Sequence, residues 1–131
     1  MIFTTPLTTR WADNDVYGHV NNVTYYAYFD SIINLFLIRE GGLDIHGTVI
    51  GLIVASSCQY HAPLAYPDEL VGTLRVMKLG NSSVTYEVTV ARAGAPVAAT
   101  ASLTHVFVDR ETRRPTPIPE PIRTALATLT S

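Results

Sequence analysis

Charge is scarce in this 131-residue chain. Asp, Glu, Lys and Arg make up 15 % of it and the net charge is -2, against about 25 % charged residues in an ordinary globular domain. So small a net charge gives no reason to expect nucleic acid or a membrane as a partner. Hydrophobic residues make up 47 %. A small domain with that balance either encloses an unusually large core or hides surface in an oligomer, and the oligomer is the expectation. There is one cysteine, Cys58, so an internal disulfide is excluded and a reducing compartment suits the chain. No stretch reaches the ~18 consecutive apolar residues of a membrane span. The opening MIFTTPLTTRW lacks the basic and apolar regions of a signal peptide, and a cytoplasmic location is expected. His46, His61 and His105 show no ligand spacing, which speaks against a metal site. Ser56 and Ser57 stand outside any G-x-S-x-G elbow, which speaks against a serine hydrolase. Neither an internal repeat nor a compositional break divides the chain, so residues 1–131 are read as a single domain.

What is present is strongly patterned. Residues 23–38, VTYYAYFDSIINLFLI, precede a Gly41-Gly42 pair that reads as a helix stop. Asn21 or Asn22 supplies the N-cap. On a helical wheel Thr24, Ala27, Asp30, Ser31, Asn34 and Ile38 share one stripe of roughly 120°. Most of the rest is apolar, so the helix is expected to be largely enclosed. Residues 2–9, 49–61, 69–79, 83–92 and 97–108 read as strands, the fourth with Val84, Tyr86, Val88 and Val90 alternating against Thr85, Glu87 and Thr89. Short turns between neighbouring strands predict antiparallel hairpins, and a short helix fits near 121–129. An antiparallel sheet around one long apolar helix is an α+β architecture. Gly72, Ala98, Ala99 and Ala101 would let the sheet approach the helix closely.

Before that helix stands RWADNDVYGHVNN, residues 10–22. An ordinary turn needs one Asp or Asn and one Gly; this stretch has two carboxylates, a histidine and an Asn-Asn pair besides. RWADNDVYGHVNNVTYY resembles the N-terminal motif of hotdog-fold acyl thioesterases of the 4-hydroxybenzoyl-CoA thioesterase family, with weaker likeness at YHAPLAYPDEL, residues 60–70. The resemblance implies a hotdog fold, a long central helix wrapped by a curved antiparallel sheet. It implies hydrolysis of an acyl-CoA or acyl-carrier-protein thioester, a homodimer or homotetramer with its site at a subunit interface, and no cofactor or metal.

By position, Asp15 matches the family's catalytic carboxylate, acting as nucleophile or general base. His19 matches a histidine that some members use. Asn22 lies where a helix N-terminus presents a backbone N–H to the thioester carbonyl. Tyr17, Gly18, Tyr25, Tyr26 and Phe29 are the candidate substrate-binding residues, and Asp13 is read as a brace for the loop. The plant members carry Asn where this chain has Tyr17, and Glu-Cys where it has Pro63-Leu64, so the fuller plant-type site is missing. Two rival readings keep the fold. One is a non-catalytic acyl-thioester binding protein. The other is an enoyl-thioester hydratase, whose Asp-x4-His spacing is not met by Asp15 or Asp13 relative to His19.

Overall fold

The computed structural model describes residues 1–130. The alternating segments form five strands: β1 (Phe3–Thr8), β2 (Val49–Tyr60), β3 (Glu69–Leu79), β4 (Ser83–Arg92) and β5 (Val97–Asp109). Two α-helices accompany them, α1 (Asn22–Arg39) and α2 (Glu120–Ala127), with a single 3-10 turn at Trp11–Asp13. One antiparallel sheet results, in the order β1-β3-β4-β5-β2. Among the described residues no helix is long and apolar enough to cross a membrane.

One expectation fails here. β2 does not form a hairpin with β3, its neighbour in sequence. It pairs with β5 instead, from Val49 opposite Asp109 to Tyr60 opposite Ala99. The reason is edge occupancy: β3 already has β1 on one side and β4 on the other. The segment after Tyr60 therefore carries the chain back across the sheet, and β2 becomes an outer strand.

The helix packs on one face of this sheet. Tyr25, Tyr28, Phe29, Ile32, Ile33, Phe36 and Leu37 are buried, spaced as an amphipathic stripe. They meet Leu70, Leu74, Val84, Tyr86, Val88 and Val90 in the core. A Cβ at Gly72 would lie 2.4 Å from the Ile32 Cδ1, so a glycine there is what lets the helix sit so close. The expected enclosure of α1 is only partly realised: Ile38 is exposed as its place on the open stripe predicts, but Val23 and Tyr26 are also 73 % and 36 % exposed. A single sheet covers one side of a helix, and the main packing partners of α1 among the described residues are the strands β1, β3 and β4. The helix starts at an Asn21 cap, whose side chain accepts the Val23 N–H at 2.9 Å. It stops where Gly42 takes a φ of +66° and the Leu43 N–H returns to the Leu37 carbonyl at 2.9 Å, a turn that glycine makes without strain.

One polar pair lies within the core. The Tyr86 hydroxyl and the Nδ1 of His105 are 3.0 Å apart, and both residues are almost fully buried. Burial pulls the His105 imidazole down to about 4.

Candidate active site

The polar stretch 10–22 joins β1 to α1, and its two aspartates are held in different ways. Asp13 is 1 % exposed. Its Oδ2 accepts the Arg10 backbone N–H at 2.9 Å and the Tyr28 hydroxyl at 2.6 Å. Its Oδ1 accepts Arg10 Nε and Nη2 at 3.2 and 3.1 Å. Burial alone would raise this carboxyl, but the Tyr28 hydroxyl and the Arg10 donors outweigh it and hold the group below the usual carboxylate range. Burial, with the Asp13 hydrogen bond and charge added, pushes the Tyr28 hydroxyl far above its ordinary value.

Further bonds lock the loop to its surroundings. The Asp13 carbonyl accepts the Asn21 N–H at 2.9 Å. The Asn14 side chain accepts the Tyr66 N–H at 2.9 Å, and the Val20 N–H reaches the Leu64 carbonyl at 2.7 Å.

Asp15 sits at the base of a tight turn. Its N–H donates to the His19 carbonyl at 2.9 Å, and its own carbonyl accepts the Gly18 N–H at 3.1 Å. Gly18 has a φ of +84°, a conformation most side chains resist. The carboxylate is half-buried. Its Oδ1 accepts the Tyr17 N–H at 2.9 Å, while Oδ2 has no hydrogen-bond partner among the described residues.

The start of α1 lies beside it. A helix leaves its first N–H groups without intrahelical partners. Asn21 takes up most of them, with its side chain on the Val23 N–H and its carbonyl on those of Thr24 and Tyr25. The Asn22 N–H has no partner among the described residues. It stands at the positive end of the helix dipole.

A cavity of about 510 Å³ brings these groups together. The loop and helix start contribute Asp15, His19, Asn21 and Asn22, and the first turn of α1 adds Tyr25. The end of β2 and the residues after it contribute Tyr60, His61, Ala62 and Pro63. Of the expected substrate-binding residues, Tyr25 alone lines this cavity. Tyr17 and Gly18 shape the Asp15 turn instead, and the Tyr17 side chain is 83 % exposed. Tyr26 lies on the uncovered side of α1, and Phe29 is fully buried in the core.

Tyr60 and His61 were not among the candidates. They arrive through the β2–β5 pairing, where the His61 N–H bonds the Ala98 carbonyl at 2.7 Å and its Nε2 lies 3.2 Å from the Thr100 hydroxyl. Their signal in the sequence was the YHAP stretch, already noted for its weaker likeness to the family. Burial, then the neighbouring Cys58 thiol, pushes the Tyr60 hydroxyl up to about 12.

A larger hollow, about 670 Å³, opens near Arg10, Asp13, Thr24, Tyr28 and Glu69. Its buried carboxylate, Asp13, is fully engaged by Arg10 and Tyr28. We therefore place the candidate chemistry in the smaller cavity.

Comparison with known proteins agrees with this geometry. A family model described as the thioesterase-like superfamily matches residues 9–126. The crystal structure of the PA5185 protein from Pseudomonas aeruginosa strain PAO1 is similar at 54 % identity and a TM-score of 0.96, covering 98 % of this chain and 92 % of that one. The gentisyl-coenzyme A thioesterase BH1999 is similar at 25 % identity and a TM-score of 0.85, covering 95 % and 99 %. A curated relative, the uncharacterized protein YsmA of Bacillus subtilis (strain 168), is 23 % identical over 83 residues, which is 63 % of this chain and 56 % of that protein's length. The hotdog arrangement, one long helix against a five-stranded antiparallel sheet, and a family match across nearly the whole chain lead to one conclusion: the chain belongs to the thioesterase-like superfamily.

Proposed function

We propose that this protein hydrolyses an acyl-CoA thioester to a free acid and CoA. The observation that carries this reading is the pairing of two unsatisfied groups at one cavity: the Oδ2 of Asp15 and the backbone N–H of Asn22. Thioester hydrolysis needs a base or nucleophile at the carbonyl carbon and positive potential where the oxyanion forms. Either the Asp15 carboxylate attacks the carbonyl carbon, expelling CoA thiolate and leaving a mixed anhydride that water then cleaves to the free acid, or it draws a proton from the water that attacks, and the tetrahedral intermediate expels CoA thiolate, which takes up that proton. The Asn22 N–H, backed by the helix dipole, polarises the carbonyl oxygen; one such donor is worth about 3 kcal/mol of barrier. His19, on the same cavity, supports the loop or the substrate. The similarity to a gentisyl-coenzyme A thioesterase favours a CoA ester over other thioesters.

The working unit is proposed to be a homodimer, or a homotetramer built from it, joined along β2. That strand is an edge of the sheet, and an edge offers unpaired backbone groups to another chain. Its middle carries apolar side chains in the open, with Ile53 40 % and Val54 61 % exposed. Light scattering on the purified protein tests this: a monomer at micromolar concentration contradicts it.

To test the activity, the protein is incubated with acyl-CoAs of varied acyl group and released thiol is trapped with a chromogenic disulfide. Thiol release from at least one ester is expected. Tight acyl-CoA binding without thiol release would favour the non-catalytic binding protein, and hydration of a crotonyl thioester would favour the hydratase.

A further inference from the structure

We propose that Tyr60 sets the length of the acyl group that the site accepts; this rests on the thioesterase reading above. With the carbonyl at the Asn22 N–H, the acyl group must leave the reacting centre in one of a few directions. Directly beneath α1 the space is taken by the chain's own core, where Phe29, Ile32 and Ile33 are fully buried. The Tyr25 and Tyr60 rings meet edge to face with centroids 5.1 Å apart, so the two phenols form a continuous wall.

Behind that wall the side chains of β2 are small. Alternation along β2 puts Tyr60, Cys58 and Ser56 on one face, opposite Ala99, Ala101 and Leu103 of β5. Cys58 is half-buried, packed against the edge of the core, and Ser56 is exposed, so the lane along β2 is only partly covered by the chain itself. Its end nearest the cavity is occupied by the Tyr60 ring. A short or compact acyl group fits in front of the ring, and a longer one has room only once the ring is gone. Tyr60 is itself 48 % exposed, so its truncation leaves the fold intact. It is a specificity residue, with no part in bond making.

The test compares kcat/KM for butanoyl-, benzoyl-, octanoyl- and palmitoyl-CoA in wild type and variants. Wild type is expected to favour the two shorter esters. Tyr60→Ala is expected to raise the ratio of octanoyl to butanoyl kcat/KM by about tenfold or more, the scale on which one or two methylenes are discriminated in a pocket. Tyr60→Phe should keep the wild-type ratio. Adding Cys58→Phe to Tyr60→Ala should refill the lane and return the preference to short esters. A wild type that already prefers palmitoyl-CoA, or a ratio unmoved by Tyr60→Ala while thiol release persists, overturns the proposal alone. Absence of thiol release from every ester overturns the hydrolytic reading, and this one with it.

Discussion

Asp13 and Asp15 stand two positions apart in one loop and live in opposite surroundings. Asp13 is buried, with both oxygens taken by Arg10 and Tyr28. Asp15 is half-buried, keeps one oxygen without a partner among the described residues, and lines a cavity together with Asn22, whose N–H likewise has no partner among them. A carboxylate whose lone pairs are all engaged stabilises structure; one with a lone pair to spare is available for chemistry. The division comes from what surrounds each group, since the side chains are identical. Tyr28 draws Asp13 into the body of the protein, and the Gly18 turn holds Asp15 out of it.

Several experiments can break or sharpen this contrast. Asp15→Ala is expected to have the largest effect, lowering kcat on the best ester by about 10²- to 10⁴-fold while the lost Tyr17 N–H bond lowers unfolding free energy by only about 1 kcal/mol. Denaturant titration beside steady-state kinetics checks both halves.

Acid should act on the core before it acts on Asp13. His105 takes a proton near pH 6.5 when unfolded but only at about 4 when folded. Its contribution is therefore complete above pH 6.5, is lost as pH falls toward 4, and is flat below; the loss between pH 7 and pH 4 is about 3 kcal/mol. Asp13 is lowered by folding, so its contribution is present above the ordinary carboxylate range and is lost only as pH falls through and below that range. Unfolding free energies across pH 3–8 should show the two stages, and His105→Gln should remove the upper one.

Asp13→Asn places amide hydrogens against groups that all donate, and is expected to cost about 2 kcal/mol of stability with a much smaller change in rate than Asp15→Ala. Asn21→Ala should cost about 1 kcal/mol through the lost cap. It releases the Val23 N–H next to that of Asn22, so its kinetics report whether the helix start acts on substrate.

Much of this was legible in the sequence because it is local. Period-two alternation located β4, β-forming runs between legible turns located the other strands, and apolar spacing with the Gly41-Gly42 stop located α1. The loop motif identified Asp15, His19 and Asn22, which the structure brings to one cavity. What escaped was long-range. Nothing near Tyr60 says that β2 pairs with β5, yet that pairing is what delivers Tyr60 and His61 to the site. The enclosure of α1 was overestimated because Val23 and Tyr26 are apolar but stand exposed, away from the sheet. Hydrophobicity shows that a face wants cover, without showing whether the chain itself supplies it. Phe29 illustrates the converse, since its place near the motif suggested a pocket while its face of the helix put it in the core.

The central claim, that the free oxygen of Asp15 does the chemistry, is tested most directly by Asp15→Asn. The amide preserves size and can still accept the Tyr17 N–H, so the turn should persist and thermal unfolding should match wild type. The account expects thiol release from the best acyl-CoA to fall at least about a hundredfold. Turnover at the wild-type rate in a folded Asp15→Asn protein would contradict it.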